Sequence, residues 1–385
     1  MTFEKLVMEE ALDAIIDYRG RTPQKSPIGI STLSAKSVKN GQIDYSECYY
    51  ISPEEYKKFM TRGFPQKGDI LLTTEAPLGM VAKLDRADVA VAQRLLTLRG
   101  KKGVLDNDFL MYYLQSSEGQ GLLKAKETGT TVTGIKQAEF RKIVIKVPDF
   151  QTQKKIAAIL SALDEKIAIN RAINDNLQQQ ASALFSSLYD RSNTEVRFTD
   201  LIQILGGGTP KTGENTYWNG NIAFFTPKDV GTPYTLITEK TITEEGLSHC
   251  NSRLYPVNTV FVTARGTVGK VGMSGVPMAM NQSCYALVGK ETHQLLVYFY
   301  TLKAVDRLKH KASGAVFDAI TTRDFESEQI MKLSDDDAKA FLRVAAPMFQ
   351  EVLNNNIENL RLSTLRDSLL PKLMSGEIDV SAVQL

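Results

Sequence analysis

Two stretches of the chain repeat apolar and polar positions in steps of four and three. From Gln151 to Asp190 there is neither glycine nor proline, and Ile156, Leu160, Leu163, Ile167, Asn170, Asn174, Leu177, Ala181, Leu184 and Leu188 form one stripe. A heptad stripe of this kind is what a helix zipped against another helix requires. Moving 185 positions along the chain gives Phe341, Ala345, Met348, Val352, Asn355, Asn359, Leu362, Arg366, Leu369 and Leu373, the same stripe with its paired asparagines. Ahead of each stripe the pattern changes. Short β-branched and aromatic runs, such as Gly68-Asp69-Ile70-Leu71-Leu72-Thr73 and Val257-Asn258-Thr259-Val260-Phe261-Val262, are bounded by glycine and proline and predict strands and turns. One stretch in each half, around Asn107 to Lys124 and His293 to Lys309, carries apolar residues at helical spacing and predicts a helix.

The likeness of the halves runs through the whole chain. Thr22-Pro23 matches Thr209-Pro210 at an offset of 187. Near 190, Leu71-Leu72-Thr73 matches Phe261-Val262-Thr263, and both run on to a Gly-x-Val at Gly79-Met80-Val81 and Gly269-Lys270-Val271. At 189, Ala92-Gln93 matches Asn281-Gln282, and from Gly129 onward the offset holds at 185, pairing Gly129 with Gly314, Phe140 with Phe325 and Ile145 with Ile330. Loops change length while the last element of each copy does not, so the chain is two copies of one unit. The predicted fold is α+β: two globular α+β domains separated by two long antiparallel coiled-coil helices, with a pseudo-twofold internal repeat. The predicted boundaries are 1–150 and 191–333 for the globular domains and 151–190 and 334–385 for the helical regions.

Antiparallel pairing is predicted from the asparagines. If residue numbers across the seam sum to about 529, Asn170 faces Asn359 and Asn174 faces Asn355. Seam asparagines cost stability but select one register, because a slip leaves an amide without a partner. The competing arrangement has two independent amphipathic helices, each packed on its own domain. Pro347 lies within the second stripe where the first has Ala162, and is expected to kink that helix or to mark its start. A straight helix of some 38 residues extends roughly 57 Å. Two heads related by such a pair could read two half-sites about one turn of B-DNA, ~34 Å, apart, and dissimilar heads imply dissimilar half-sites.

Composition narrows the function classes. With 385 residues, 43% hydrophobic, 23% charged and a formal net charge of +2, the chain is ordinary for a soluble globular protein, which excludes a disordered, collagenous or disulfide-stapled class. No run approaches the roughly 20 apolar residues of a membrane helix, and acids near the start replace a signal peptide's apolar core; a cytoplasmic location is expected. A pI near 8.2 is too balanced to announce a chain-wide nucleic-acid surface, so any such surface must be local. Cys48, Cys250, Cys284, His249, His293 and His310 show no metal-ligand spacing, and no metal site is expected.

Five further segments are Gly207-Gly208-Thr209-Pro210 with Tyr217-Trp218, Thr263-Ala264-Arg265-Gly266-Thr267-Val268-Gly269, Asn281-Gln282, Pro148-Asp149-Phe150-Gln151-Thr152-Gln153-Lys154-Lys155-Ile156 and Leu370-Pro371-Lys372-Leu373-Met374-Ser375-Gly376-Glu377-Ile378. Together and in their order along the chain they resemble the specificity (S) subunits of type I restriction-modification systems. The resemblance covers essentially the whole chain. It implies two target-recognition domains, each followed by a helical region, double-stranded DNA with a bipartite asymmetric target, and assembly with two modification (methyltransferase) subunits to which restriction subunits can add. The first half departs from the pattern, with Arg19-Gly20-Arg21-Thr22-Pro23 for the Gly-Gly-Thr-Pro loop and Thr74-Glu75-Ala76-Pro77-Leu78-Gly79 for the Arg-Gly-Thr stretch.

No catalytic residues and no cofactor are expected in this chain. It has no Asn/Asp-Pro-Pro-Tyr/Phe tetrapeptide, and Gly206-Gly207-Gly208 is followed by Thr-Pro where a phosphate-binding helix would begin. Asp335-Asp336-Asp337 is expected to cap a helix rather than to hold Mg²⁺. S-adenosylmethionine, ATP and Mg²⁺ are expected on partner subunits. Arginine reads guanine, amides read adenine, and lysine and hydroxyls hold phosphates. On that basis the candidate DNA contacts are Tyr18, Arg19, Arg21, Lys36, Lys39, Thr73, Glu75 and Arg94 in the first domain, and Lys211, Tyr217, Lys228, Arg265, Lys270 and Gln282 in the second. Trp218 is expected to anchor its loop. The competing functions are a self-contained DNA methyltransferase or nuclease, and a coiled-coil protein adaptor that ignores DNA.

Overall fold

A computed structural model describes residues 2–129, 133–231, 233–311 and 319–383; Gly314, which the repeat pairs with Gly129, lies outside them. The chain divides into two units, Met1–Lys166 with Leu362–Leu385 and Ile167–Arg361.

In the first unit Phe3–Val7 pairs antiparallel with Val144–Pro148. A four-stranded sheet follows the order 12–17, 95–100, 70–73, 81–83, and a three-stranded sheet the order 49–51, 30–33, 90–91. In the second unit Thr194–Arg197 pairs with Gln329–Lys332. Its main sheet runs 202–206, 284–289, 260–263, 271–274, with 234–235 added at the edge, and its smaller sheet runs 240–242, 218–225, 278–280. The sequence repeat is therefore a repeat of topology, down to the one parallel pairing in each smaller sheet, Thr32 with Ala90 and Ala223 with Met278.

The central strands Ile70–Thr73 and Val260–Thr263 are buried at every position because each separates two cores. Alternate side chains of a strand face opposite sides. Ile70 and Leu72 join the helical side with Phe109, Tyr113 and Phe140, while Leu71 joins Leu33, Ala82 and Val91 on the other. Val260 and Val262 likewise face Val297 and Tyr300, while Phe261 meets Phe225, Met278 and Met280. The predicted helix around Asn107 to Lys124 is two helices, Asn107–Gln115 and Ser117–Ala125. Ser116 breaks it by capping the second, accepting the Gly119 N–H at 3.1 Å, whereas the second copy continues unbroken as Gln294–Lys311.

The long helices are Phe150–Tyr189 and Asp335–Ser375. Asp149 caps the first, accepting the N–H groups of Gln151 and Thr152 at 3.0 and 3.1 Å. The Thr152 hydroxyl and these amides hold the Asp149 carboxyl below the ordinary carboxylate value. Ser334 caps the second, its hydroxyl accepting the Asp337 N–H at 3.1 Å and donating to the Asp337 carboxylate at 2.8 Å. Asp335-Asp336-Asp337 thus forms the first turn, where acids suit the helix dipole. Pro347 does not mark the start of this helix, which begins at Asp335 and runs on past it. Its ring sits on the exposed face, where the carbonyl it leaves unpaired can reach water.

By contact, each long helix is shared out between the units, unlike the separate helical regions expected at 151–190 and 334–385. Ile156, Ala157 and Leu160 join the first unit's core with Leu373 and Met374. Ala181, Phe185 and Leu188 join the second unit's core with Phe341, Ala345, Phe349 and Val352. Phe185 stacks on Phe299 at 4.9 Å and meets the edge of Phe341 at 5.5 Å. Within each unit the segments of the two long helices pair with each other as well as packing on their domain, so the helices are not independent. Within the second unit, Asn170 donates to Asn359 at 3.0 Å and to Glu358 at 2.7 Å, and Asn355 donates to Asn174 at 2.9 Å. Within the first, Arg366 donates to Asp164 at 2.6 Å, and Asp164 also accepts the Tyr112 hydroxyl at 2.7 Å. Both sets of contacts belong to antiparallel segments.

Candidate nucleic-acid interface

One turn is built the same way in both units. In the second, between Val260–Thr263 and Val271–Ser274, the Thr263 hydroxyl donates to the Thr267 carbonyl and accepts the Lys270 N–H at 2.9 Å. The Gly269 N–H closes on the Thr263 carbonyl at 2.9 Å, Ala264 donates to Ser283 at 2.8 Å, and Ile320 donates to Ala264 at 2.9 Å. In the first unit the Thr73 hydroxyl donates to Pro77 at 2.6 Å and accepts the Met80 N–H at 2.9 Å. Gly79 closes on Thr73 at 3.0 Å, Thr74 donates to Arg94 at 3.0 Å, and Ile135 donates to Thr74 at 2.9 Å. Glu75 and Arg265 occupy the same place, bridging to Gly134 and Ala319 respectively. Thr73 is therefore not a DNA contact: it is fully buried, and its hydroxyl holds the turn.

In the second unit this turn borders a cleft of about 410 Å³ lined by Thr226, Lys228, Glu239, Lys240, Arg265, Asn281 and Ser283 among others. Two of the expected contacts, Lys228 and Arg265, meet here. Lys228 is 3.6 Å from Glu239, a highly exposed pair that contributes little to stability. Lys240 carries no local signal in the sequence, being a lone lysine in a strand, and only folding puts it on the cleft wall, 5.6 Å over the Trp218 ring. Three cations against one carboxylate make the cleft locally positive in a nearly neutral chain.

The loop beside it is bolted down. Gly208 donates to the Met280 carbonyl at 3.1 Å, the Tyr255 hydroxyl to Gly206 at 2.9 Å, and the Thr209 hydroxyl to Gln282. Gln282 is exposed, on the turn between Met278–Met280 and Cys284–Gly289, but its amide oxygen is engaged by Thr209. A Cβ at Gly207 would lie 2.2 Å from the Asn281 carbonyl oxygen and one at Gly208 2.6 Å from the Asn251 nitrogen, so these two glycines serve close backbone approach. Trp218 anchors the loop end, its indole N–H donating to the Lys211 carbonyl at 3.2 Å. Tyr217 is half-buried and stacks on His249 at 4.9 Å, while Lys211 and Lys270 are exposed.

The first unit's candidates divide differently. Tyr18 is fully buried, stacks on Phe59 at 4.8 Å, donates to the Gly63 carbonyl at 2.9 Å and accepts the Arg62 N–H at 2.8 Å. It is a scaffold residue, not a DNA contact, because both hydrogen-bonding functions of its hydroxyl are used internally. Arg19 lies 3.4 Å from Asp17, and Arg21 sits over Phe59 while donating to Thr61 at 2.8 Å. Arg62, unremarked in the sequence, donates to the carbonyls of Asp17 and Arg19 at 2.9 and 3.2 Å and so holds the loop that carries both arginines. Lys36 is exposed just before, and Lys39 within, the short hairpin of Val38–Lys39 and Gln42–Ile43. Glu75 and Arg94 come together as an ion pair, Nε to Oε1 at 2.8 Å.

Among the described residues no group of three or more His, Cys, Asp or Glu side chains could hold a metal ion, and no helix is long and apolar enough to cross a membrane. Burial pushes the Cys284 thiol up to about 12, so it is an unreactive core residue.

Twin α+β units that present the same turn with different side chains define a duplicated recognition protein. Residues 19–179 and 191–332 both match the type I restriction modification DNA specificity domain, and the chain belongs to that family. It is 24% identical to the type I restriction enzyme HindI specificity subunit of Haemophilus influenzae, over 81% of this chain and 87% of that protein. It is also 24% identical to the MjaIX specificity subunit of Methanocaldococcus jannaschii, over 94% of this chain and 88% of that one. The crystal structure of a type I restriction-modification S subunit from M. genitalium shares the fold, with a TM-score of 0.65 at 15% identity, covering 97% of this chain and 96% of that one.

Proposed function

We propose that each unit reads one half of a bipartite, asymmetric DNA target, and that the paired helices set the spacer and dock two methyltransferase subunits. Chemistry then resides on the partners, which supply S-adenosylmethionine, ATP and Mg²⁺ sites, with restriction subunits as an optional addition in the cytoplasm. The observation that carries this reading is the duplicated turn: its scaffold bonds are the same in both units, while the residues it presents differ, Glu75 and Arg94 against Arg265 and Ser283. A scaffold kept constant beneath changed side chains is what two readers of different sequences need.

Arg265 is exposed on the cleft, and its backbone N–H is tied to the Ser283 carbonyl at 3.3 Å. Arg265→Ala should weaken binding of the complex to its own target by about tenfold or more while leaving subunit assembly intact. A gel shift of the reconstituted complex measures this. Unaltered affinity would remove Arg265 from the interface.

A further inference from the structure

We propose that Arg94 reads a guanine in the first unit's half-site, and that Glu75 is a positioning residue that holds its guanidinium for that contact. This rests on the chain's reading as a DNA specificity subunit and adds which side chain reads, which base, and how it is preset.

The frame is the duplicated turn. Glu75 takes the place of Arg265, and Arg94 the place of Ser283, since Thr74 donates to Arg94 as Ala264 donates to Ser283. Each turn therefore offers one guanidinium, but from opposite walls of the same gap. A glutamate alone on a phosphate-facing surface would repel DNA; paired, it becomes part of the reader.

Geometry favours a base over a phosphate as the object. The ion pair runs from Arg94 Nε to Glu75 Oε1 at 2.8 Å, with about half of the Arg94 side chain exposed. With Nε engaged, the terminal amino groups can present a planar fork, and guanine O6 and N7 accept such a fork side by side. Arg94 also adopts φ of +72°, a left-handed backbone that non-glycine residues seldom take, and its carbonyl is clamped by the Thr74 N–H at 3.0 Å. Strain held at a surface residue is retained where side-chain placement matters.

The test uses the assembled complex, with binding measured over a panel of DNAs carrying every single-base change in the target, at several salt concentrations. Arg94→Ala should lose guanine discrimination at one position, by roughly 5- to 150-fold, in the half-site that Arg265→Ala does not touch, and Arg94→Lys, which gives up the planar fork, should lose part of it at the same position. Arg94→Lys keeps the charge and should keep the salt dependence. Glu75→Gln should weaken discrimination at that same position without changing the preferred base. A uniform loss of affinity over all sequences with a salt slope smaller by about one would make Arg94 a phosphate contact and overturn the proposal. So would a change of preferred base in Glu75→Gln, or a first half-site without any guanine preference. Loss of the other half-site's preference would mark a folding defect, in which case Arg94→Lys decides. A wild-type complex with no sequence preference at all would instead sink the DNA-specificity reading beneath it.

Discussion

Gly207→Ala is expected to destabilise the second unit by about 2–3 kcal/mol, the cost of forcing a methyl group into a packed contact. The added Cβ would stand 2.2 Å from the Asn281 carbonyl oxygen and 2.5 Å from that of Met280. Neither oxygen can retreat cheaply, because Asn281 donates to Phe225 at 3.0 Å and Met280 accepts from Gly208 at 3.1 Å. The loop would have to lift, and Thr209 would lose Gln282. Gly213→Ala on the same loop meets nothing within 4 Å and should stay within about 0.5 kcal/mol of wild type. Urea unfolding of both variants measures the difference, and equal midpoints would show that the loop is not held as described. The first copy differs: Gly20 has φ of +76° with nothing near its Cβ site, so glycine is used there for conformation rather than for space.

Asp69→Ala should cost the first unit about 3 kcal/mol, the low end for breaking a buried ion pair, because Arg99 keeps some access to water. Asp69 is almost wholly buried and accepts two bonds from Arg99, at 2.7 and 2.8 Å, and the Gln66 N–H at 2.7 Å. Removing the carboxylate strands a guanidinium whose ionised form it stabilises. Asp69 lies next to Ile70–Thr73, so the loss should reach the turn that carries Glu75. Asp69→Asn, which keeps an acceptor for Gln66, should fall between. A loss below about 1 kcal/mol for Asp69→Ala, again by urea unfolding, would show the pair to be dispensable.

The long helices were legible because their stripes are periodic and their breakers few, and the asparagines at 170, 174, 355 and 359 carried orientation as well as position. The duplication was legible because strand cores such as Leu71-Leu72-Thr73 and Phe261-Val262-Thr263 keep their order of burial in both copies. What misled was polarity without context. Tyr18 and Thr73 carry hydroxyls that could bind DNA, but each is satisfied inside the fold, and nothing local in the sequence distinguishes a satisfied hydroxyl from a free one. Pro347 breaks a helix in the abstract, yet on an exposed face the broken bond is cheap. Ser116 ends one helix and caps the next although the apolar spacing runs straight through it. The ion pair of Glu75 with Arg94 and the meeting of Lys228, Lys240 and Arg265 depend on strand order, which local pattern does not encode.

The central claim is that two dissimilar heads on one chain read two dissimilar half-sites. Methylome sequencing of cells with and without this protein, alongside cells carrying Arg265→Ala, tests it most directly. The account predicts a methylated two-part motif with unlike halves and a constant gap that disappears without the protein, and a change confined to one half in the variant. A single uninterrupted motif, or both halves altered together by Arg265→Ala, would contradict it.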